Sequence, residues 1–444
     1  MDLIDFLITL ATVVAAFAIW LLSTAVFIWG ERRLVSKMQS RLGPNRLGPF
    51  GMLQTLADGI KMFFKEDIEP TGVDRIVYYA APGASAIIAL ITFAVIPFGN
   101  AFTIGERTVT LQVWDPEIGM LWILAMSSVG VYGVALAGWS SGSKYSLLGG
   151  VRSTAQMISY ELALGLGLAA VFVWNGTLQA SEIVDAQREM LQFGPISLPA
   201  WNFLPQLPAL ALFFVAAVAE AERPPFDLPE GEGELVGGFN TEYSGAKFAM
   251  FFLAEFMQVI TMSAATVTLF FGGPAGPVFG LEGTVWGALL GFLYFAIKVF
   301  FFMFVFVWLR GTLPRLNYNR LMDLGWKVLL PVGLLWVMAT ATIVVAQESF
   351  TRPEMIRYVL IAAGVILALV VVAPLFDRRP QPGADAGAGA ADAGPAGADA
   401  AGADAADAAA ADGSAGQPAQ PPGGLDDLRR TIDERTPDRV TVKS

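Results

Sequence analysis

The sequence predicts an all-α, polytopic membrane protein with about nine transmembrane helices, an amphipathic surface helix and a disordered C-terminal tail. Of its 444 residues, 55% are hydrophobic and only 15% are charged. The mean hydropathy is +0.57. Apolar runs of about twenty residues recur along the chain, and that is the length a helix needs to cross ~30 Å of hydrocarbon.

Nine apolar spans account for about half of the chain before residue 377. They are Leu3–Trp29, Ile76–Phe98, Gly119–Gly138, Ile158–Trp174, Pro208–Ala219, Phe248–Phe271, Val285–Leu309, Val328–Ala346 and Ile356–Phe376. The fifth span is short and follows two prolines. Asp2 and Asp5 stand where a signal peptide would carry basic residues, so we expect the first span to be retained.

The distribution of lysine and arginine predicts the orientation of these spans. The connections after spans one, three, five and seven, with the start of the tail, hold eighteen of these residues, whereas the opposite connections hold four. Because basic residues favour the cytoplasmic side, the N-terminus is predicted to lie outside and the tail inside a bacterial cytoplasmic membrane.

From Asp377 onward, the composition changes to alanine, glycine, aspartate and proline. These residues offer little apolar surface to bury, so residues 377–444 are predicted to be a disordered tail, separate from a transmembrane domain of residues 1–376. A docking arm is the functional interpretation of the tail, and a tolerated extension is the simpler one.

The chain contains no cysteine and no histidine. It therefore lacks the usual ligands of zinc, haem and iron–sulfur clusters, and it has no disulfide bonds. It also has no phosphate-binding loop and no dinucleotide fingerprint, and its basic residues are dispersed along membrane edges. Any redox centre that this protein serves is predicted to lie in a partner.

The connection after the first span contains a predicted surface helix. Leu53, Leu56, Ala57, Ile60 and Phe64 share one face of that helix, while Gln54, Asp58, Lys61 and Lys65 share the other. This pattern is typical of a helix that lies along the membrane surface. Anchoring is one interpretation, and a lipid-soluble ligand that enters beneath the helix is the alternative.

Several charged residues fall inside or at the ends of the apolar spans. They are Glu161, Glu220, Glu222, Glu255 and Lys298. A charge in hydrocarbon is costly and normally faces a partner or a water-filled path. For Lys298 the sequence leaves open a structural ion pair or a role in proton movement. Both interpretations need a partner, and we expect that partner to be Glu255.

Residues Ala219–Tyr243, here named the acid loop, carry seven carboxylates and one base, Arg223. Crowding of like charges and partial desolvation both raise carboxyl pKa values, so this loop is predicted to share protons. A solvated loop and a divalent cation site are alternatives. The spacing of Glu230, Glu232 and Glu234 lacks the features of an EF-hand, so the cation site is the weaker of the two.

Several longer motifs occur in one order along the chain. They are Glu31–Arg33, Gln39–Asn45, Gly48–Asp58 with its continuation to Lys65–Asp67, Gly142–Arg152, Ala155–Glu161, Phe239–Tyr243, Phe251–Glu255, Arg310–Arg315 and Leu324–Lys327. With the acid loop, these motifs resemble the membrane proteins of the respiratory complex I subunit 1 family, which provide the quinone site of bacterial and mitochondrial NADH–quinone oxidoreductases. The resemblance covers about residues 1–375. Glu222 and the tail depart from the family pattern.

The resemblance implies a membrane subunit of a proton-translocating NADH:quinone oxidoreductase, with quinone as substrate. It implies that FMN and iron–sulfur clusters lie in partner subunits, that the chain itself binds no cofactor or metal, and that peripheral-arm, small membrane and antiporter-like subunits are its neighbours. By the same resemblance, the quinone tunnel and docking residues are Glu31, Arg32, Gln39, Arg41, Asp58, Lys61, Phe64, Arg152 and Phe226. The implied proton or charge-relay residues are Glu161, Glu220, Asp227, Glu230, Glu232, Glu234, Glu242, Glu255 and Lys298.

Three other functions fit parts of the sequence. A stand-alone proton-coupled transporter would also need intramembrane acids, but it would be expected to show inverted repeats. A passive membrane anchor would explain the basic face but not the buried acids. The membrane subunit of an energy-converting hydrogenase shares the fold but handles no quinone, and the long Arg- and Pro-rich first connection favours the quinone-linked family.

Overall fold

A computed structural model of the chain describes residues 3–105, 107–193, 196–227, 236–278 and 280–349. Within those ranges, eleven α-helices follow one another along the chain. They are α1 (Leu3–Met38), α2 (Gln54–Phe64), α3 (Arg75–Thr92), α4 (Gly119–Ser140), α5 (Lys144–Asn175), α6 (Ala180–Ala186), α7 (Leu207–Glu220), α8 (Gly245–Phe270), α9 (Val285–Thr312), α10 (Tyr318–Asp323) and α11 (Leu330–Ser349).

Short elements join these helices. Turns of 3₁₀-helix cover Pro49–Gly51, Phe93–Val95 and Gly238–Asn240, and a π-helical segment, Leu324–Leu329, connects α10 to α11. Two antiparallel hairpins pair β1 (Phe102–Ile104) with β2 (Arg107–Val109) and β3 (Met190–Phe193) with β4 (Ile196–Pro199).

Seven of the described helical segments are long and apolar enough to cross a membrane: Leu3–Met38, Arg75–Val95, Gly119–Ser140, Lys144–Asn175, Gly245–Phe270, Val285–Thr312 and Tyr318–Gln347. The shorter apolar helix α7 corresponds to the short fifth span of the prediction. The predicted all-α membrane fold is confirmed. The ninth span, the tail and the boundary at residue 376 lie outside the described residues.

Local sequence signals explain where several helices begin and end. Proline lies in the first turn of α7, where a missing backbone N–H costs no helical hydrogen bond. Helix α5 ends at Asn175 and is followed by Gly176, whose φ of 71° suits a residue without a side chain. Thr284 accepts a hydrogen bond from the Gly287 N–H over 3.2 Å and so caps α9.

Small residues let the helices that carry the buried acids pack closely. Helix α5 packs against α4, α7 and α11, and α8 packs against α1, α3, α7 and α9. A Cβ atom on Gly138 of α4 would lie 3.0 Å from the Cα of Gly150 on α5. Such close backbone contact is typical of membrane helix interfaces. It brings Ser127 and Ser128 of α4 beside the carboxylates of α5 and α7.

Candidate functional site

A buried charge cluster joins three helices to the acid loop. Arg223 Nη1 lies 3.2 Å from Glu31 Oε1 on α1, and Arg223 Nε lies 3.1 Å from Glu255 Oε1 on α8. Arg310, in the last turn of α9, contacts the same oxygen of Glu31. Glu31 and Arg223 are each only 5% exposed. A buried charge needs partners of opposite sign, and these side chains provide them for one another.

A cavity of about 790 Å³, here named the polar cavity, lies against this cluster. It is lined by Glu31, Arg32, Val35, Met38, Gln39, Arg41, Leu42, Gly43, Pro44, Arg223, Phe252, Glu255, Phe256, Arg310 and Gly311. Glu31 Oε2 is buried and has no hydrogen-bond partner within the described residues. The cavity thus combines several arginine donors with a buried acceptor, a lining suited to a polar molecule or head group.

A second cavity, of about 200 Å³ and mostly apolar, lies between α1, α2 and α8 and is here named the apolar cavity. Arg32 lines both it and the polar cavity. Arg32 also contacts Asp58 of α2 as an ion pair. Partial burial raises the pKa of Asp58, but hydrogen bonds from Arg32, Gln54 and Lys61 outweigh that effect and hold the pKa below its usual 3.8.

The amphipathic helix predicted after the first span is confirmed as α2. Its polar face turns toward the protein at Asp58, which lines the apolar cavity and pairs with Arg32, whereas Lys61 on the same face is exposed. Its apolar stripe turns outward: Leu56 is 62% exposed, Ile60 51% and Phe64 88%. This arrangement is typical of a helix whose apolar side meets lipid.

A third cavity, of about 80 Å³, lies among α3, α4, α5, α7 and α8 and is here named the carboxylate cavity. Glu220, Glu222 and Glu255 line it, together with polar side chains of Ser85, Ser127, Asn240 and Gln258. Glu255 also lines the polar cavity. One carboxylate is therefore shared by the two cavities.

Three serines hold the carboxylates in and beside this cavity. Ser127 Oγ donates to Glu220 Oε1 over 2.8 Å. Ser128 contacts Glu161, and Ser153 of α5 contacts Glu222. An ionised carboxylate only accepts hydrogen bonds, so each serine hydroxyl acts as a donor to it.

The backbone around Glu222 is unusual. Its φ is 51°, a left-handed conformation that costs most residues other than glycine and asparagine roughly 1–2 kcal/mol. Gln156 on α5 fixes the chain on both sides of Glu222, because its buried amide donates to the carbonyls of Ala219 and Phe226 over 2.8 and 2.7 Å. The start of the acid loop is thus anchored to the helix that carries Glu161.

Comparisons with known proteins agree with this architecture. A family model described as NADH dehydrogenase matches residues 11–341. The chain belongs to this family. The H subunit of NADH-quinone oxidoreductase from Frankia alni is 49% identical over 366 residues, which cover 82% of this chain and 78% of that protein. Its counterpart of the same name from Frankia casuarinae is 48% identical over 376 residues, which cover 84% and 80%.

Membership of the NADH dehydrogenase family confirms the resemblance drawn from the motifs. The tunnel and docking residues it implied fall into two groups. Glu31, Arg32, Gln39 and Arg41 line the polar cavity, and Arg32 and Asp58 line the apolar cavity. Lys61, Phe64, Arg152 and Phe226 line neither.

These four residues have other surroundings. Lys61 lies 3.4 Å from Asp58, and Phe64 points outward. The Arg152 guanidinium lies 5.8 Å from the Tyr318 ring centre. Phe226 is buried with its ring centre 5.5 Å from that of Tyr160, so it is a core residue of the acid loop.

The relay residues implied for the NADH dehydrogenase family are described in part. Glu161, Glu220 and Glu255 lie close to the carboxylate cavity. Asp227 is the last described residue of the first half of the acid loop, and the backbone carbonyl of Glu242 accepts from the Tyr78 hydroxyl over 2.6 Å. Glu230, Glu232 and Glu234 lie outside the described residues. Elsewhere, no group of three acidic side chains forms a metal site in the described ranges.

The expectation that Glu255 is the partner of Lys298 is wrong. Lys298 Nζ instead donates to the carbonyls of Phe271, Gly273 and Ala275 over 2.8, 2.9 and 2.8 Å. These carbonyls follow the C-terminal end of α8, where the helix dipole favours a cation. All three ammonium donors are used there, which matches a structural role.

Sequence reasoning assigned no site role to several residues that hold the site together: Ser127, Ser128, Ser153, Gln156, Arg223 and Arg310. The two arginines carried a usable signal, because each lies at the edge of an apolar span and a buried acid needs a base. The serines carried none, because hydroxyls in apolar helices commonly bond to their own helix, as Ser263 does with the Val259 carbonyl over 2.8 Å.

Proposed function

We propose that the chain is the membrane subunit of a proton-translocating NADH:quinone oxidoreductase. In this proposal it forms the quinone tunnel with the peripheral arm and couples quinone reduction to proton translocation through buried carboxylates. Family membership supports the type of complex. The observation that carries the coupling is the position of Glu255, which lines both the polar and the carboxylate cavities and is bound through Arg223 to Glu31.

The two larger cavities suit the two parts of a lipid quinone. The apolar cavity, between α1, α2 and α8, would admit the isoprenoid chain from the bilayer beneath the outward-facing stripe of α2. The polar cavity offers Gln39, Arg41 and the charge cluster to the head group and to the neighbouring subunit. Arg32 lines both cavities, so we place the passage between the two cavities at Arg32.

The coupling step follows from the stoichiometry of quinone reduction, which consumes electrons and protons in equal number. Protons withdrawn beside the polar cavity change the charge felt by Glu31, Arg223 and Glu255. Carboxylates that interact titrate as a set, so a proton lost by one changes the proton affinity of its neighbours. We assign the onward redistribution to Glu255, Glu220 and Glu161. Lys298 is left out of this path because its donors are taken by carbonyls.

The proposal includes partners and an orientation. Electrons would arrive from FMN and iron–sulfur clusters held by peripheral-arm subunits, because this chain has no cysteine or histidine. The redistributed charge would pass to small and antiporter-like membrane subunits. The basic connections would face the cytoplasm, with the N-terminus outside, in a bacterial cytoplasmic membrane.

The tunnel is tested with Arg32→Ala and Arg41→Ala in the assembled complex. Both variants are expected to lower NADH:quinone reductase activity while NADH–ferricyanide activity, which needs only the peripheral arm, stays unchanged. Arg75→Ala is the matched control, since Arg75 is exposed and pairs with Glu69. Full quinone reductase activity in both variants would refute the tunnel. Equal loss of both activities would indicate failed assembly.

The relay is tested with Glu161→Gln and Glu255→Gln in the same complex. Proton uptake driven by NADH in membrane vesicles is expected to fall in both variants, with quinone reduction falling or becoming uncoupled. If both variants translocate protons at the full ratio to NADH oxidised, these carboxylates do not couple the two processes.

A further inference from the structure

The carboxylate cavity contains an acid that the proposed relay does not use. Glu222 lines this cavity with Glu220 and Glu255, and Ser153 contacts its carboxylate. Glu222 is an additional acid of the acid loop, and it departs from the family pattern. Its backbone is held in a left-handed conformation that a glutamate does not favour. The sequence thus places a carboxylate where the backbone alone would favour asparagine or glycine.

A second observation indicates that the cavity holds water. Glu220 is 3% exposed, and its Oε2 atom has no hydrogen-bond partner among the described residues. A buried carboxylate oxygen without a protein partner normally bonds to ordered water. The cavity volume of about 80 Å³ has room for a few water molecules, and the carboxylate, hydroxyl and amide groups within its mainly apolar lining offer them hydrogen-bond partners.

The charged groups around Glu222 are few. The titratable side chains lining the cavity are Glu220 at the end of α7, Glu222 itself and Glu255 on α8. The elements α3, α4, α5 and Gly238–Asn240 contribute uncharged residues to the lining. The base nearest to this set is Arg223, which follows Glu222 in the chain and pairs with Glu255.

We propose that Glu222 is a third proton-carrying group of the carboxylate cavity, which exchanges protons with Glu220 and Glu255 through the enclosed water. The inference rests on the proposed function. In the exchange, an O–H bond of protonated Glu222 breaks, a water molecule takes that proton and gives up another, and a carboxylate oxygen of Glu220 or Glu255 forms the new O–H bond. No other reactant is needed.

Two substitutions of Glu222 separate the effect of its carboxylate from the effect of its backbone conformation. Glu222→Asn removes the carboxylate but suits the left-handed backbone, so loss of function cannot be attributed to strain. Glu222→Asp keeps a carboxylate on a residue that also tolerates this conformation. Glu282→Asn is the control, because Glu282 is an exposed acid in the loop before α9.

The assembled complex with each variant is assayed for NADH–ferricyanide activity, NADH:quinone reductase activity and proton uptake per NADH across a range of pH. Glu222→Asn is expected to keep its NADH–ferricyanide activity. Its coupled NADH:quinone reductase activity is expected to fall by about threefold or more. Glu222→Asp should restore most of the activity, and Glu282→Asn should match the unmodified protein.

Two results would overturn the inference. If Glu222→Asn matches the unmodified protein at every pH while Glu255→Gln is impaired, Glu222 carries no proton and the proposed function stands. If Glu222→Asn and Glu222→Asp are equally impaired with the same pH profile, the position is structural. If Glu161→Gln and Glu255→Gln are also fully coupled, the proposed function itself fails.

Discussion

Ser127 and Ser128 are consecutive residues of α4, yet they bind carboxylates on two different helices. Ser127 Oγ donates to Glu220 at the end of α7 over 2.8 Å, and Ser128 contacts Glu161 on α5. Consecutive side chains on a helix diverge by about 100°. A single turn of α4 therefore fixes the positions of two acids that the proposed relay uses.

Replacing Ser127 by alanine removes only one hydroxyl group, but it should lower NADH:quinone reductase activity strongly. The variant removes the one donor described for buried Glu220, and an unsatisfied buried group costs about 1–3 kcal/mol. We expect NADH:quinone reductase activity to fall about tenfold, while Ser127→Thr, which keeps the hydroxyl, stays near normal. Ser263→Ala is the control, because Ser263 is buried and its described hydrogen bond stays within its own helix. Equal effects of Ser127→Ala and Ser263→Ala would contradict this reasoning.

Arg223 should be needed for the assembly of the complex. Its side chain is 6% exposed and bridges Glu31 and Glu255, so Arg223→Ala removes the base that links the two carboxylates and leaves Glu31 paired with Arg310, at a cost of about 3–5 kcal/mol. Arg75→Ala removes an exposed pair worth about 0–1 kcal/mol. We expect native gels to show much less assembled complex with Arg223→Ala and a normal amount with Arg75→Ala. Normal assembly of both variants would show that the buried cluster contributes little.

Asp58→Asn tests the position of Arg32 between the two larger cavities. The pKa of Asp58 is held below 3.8, so its ionised form stabilises the pair above that pH, and this stabilisation is lost only as the pH falls through the lowered value. Asp58 is therefore ionised throughout the working range. We expect a higher KM for quinone in the variant, with a ratio to the unmodified enzyme that stays constant between about pH 6 and about pH 8. A ratio that changes across this range would show that another group governs Arg32.

The sequence predicted the positions of the helices better than it predicted which groups their charged side chains contact. Hydropathy located α1, α3 and the other long spans, because a membrane requires about twenty apolar residues in each. Hydropathy could not identify the partner of Lys298, because two residues on neighbouring helices can pair only if they lie at a similar depth along the helix axes. Fifteen residues separate Glu255 from Phe270, which is roughly 22 Å of helix, and Lys298 binds beyond that end.

Lys298 provides the sharpest test between structural and relay roles. Its ammonium group donates to the carbonyls of Phe271, Gly273 and Ala275, and hydrogen bonds to charged groups contribute about 1.5–3 kcal/mol each. Lys298→Met should therefore lower the thermal stability of the complex, because the carbonyls beyond α8 lose their donor. The complex that still assembles should translocate the normal number of protons per NADH. Lys327→Met is the control, since Lys327 is exposed and pairs with Asp323 over 2.7 Å. If the Lys298→Met complex melts normally but takes up fewer protons per NADH, Lys298 is a proton carrier. Loss of a purely structural cap would lower the melting temperature without changing proton uptake per NADH.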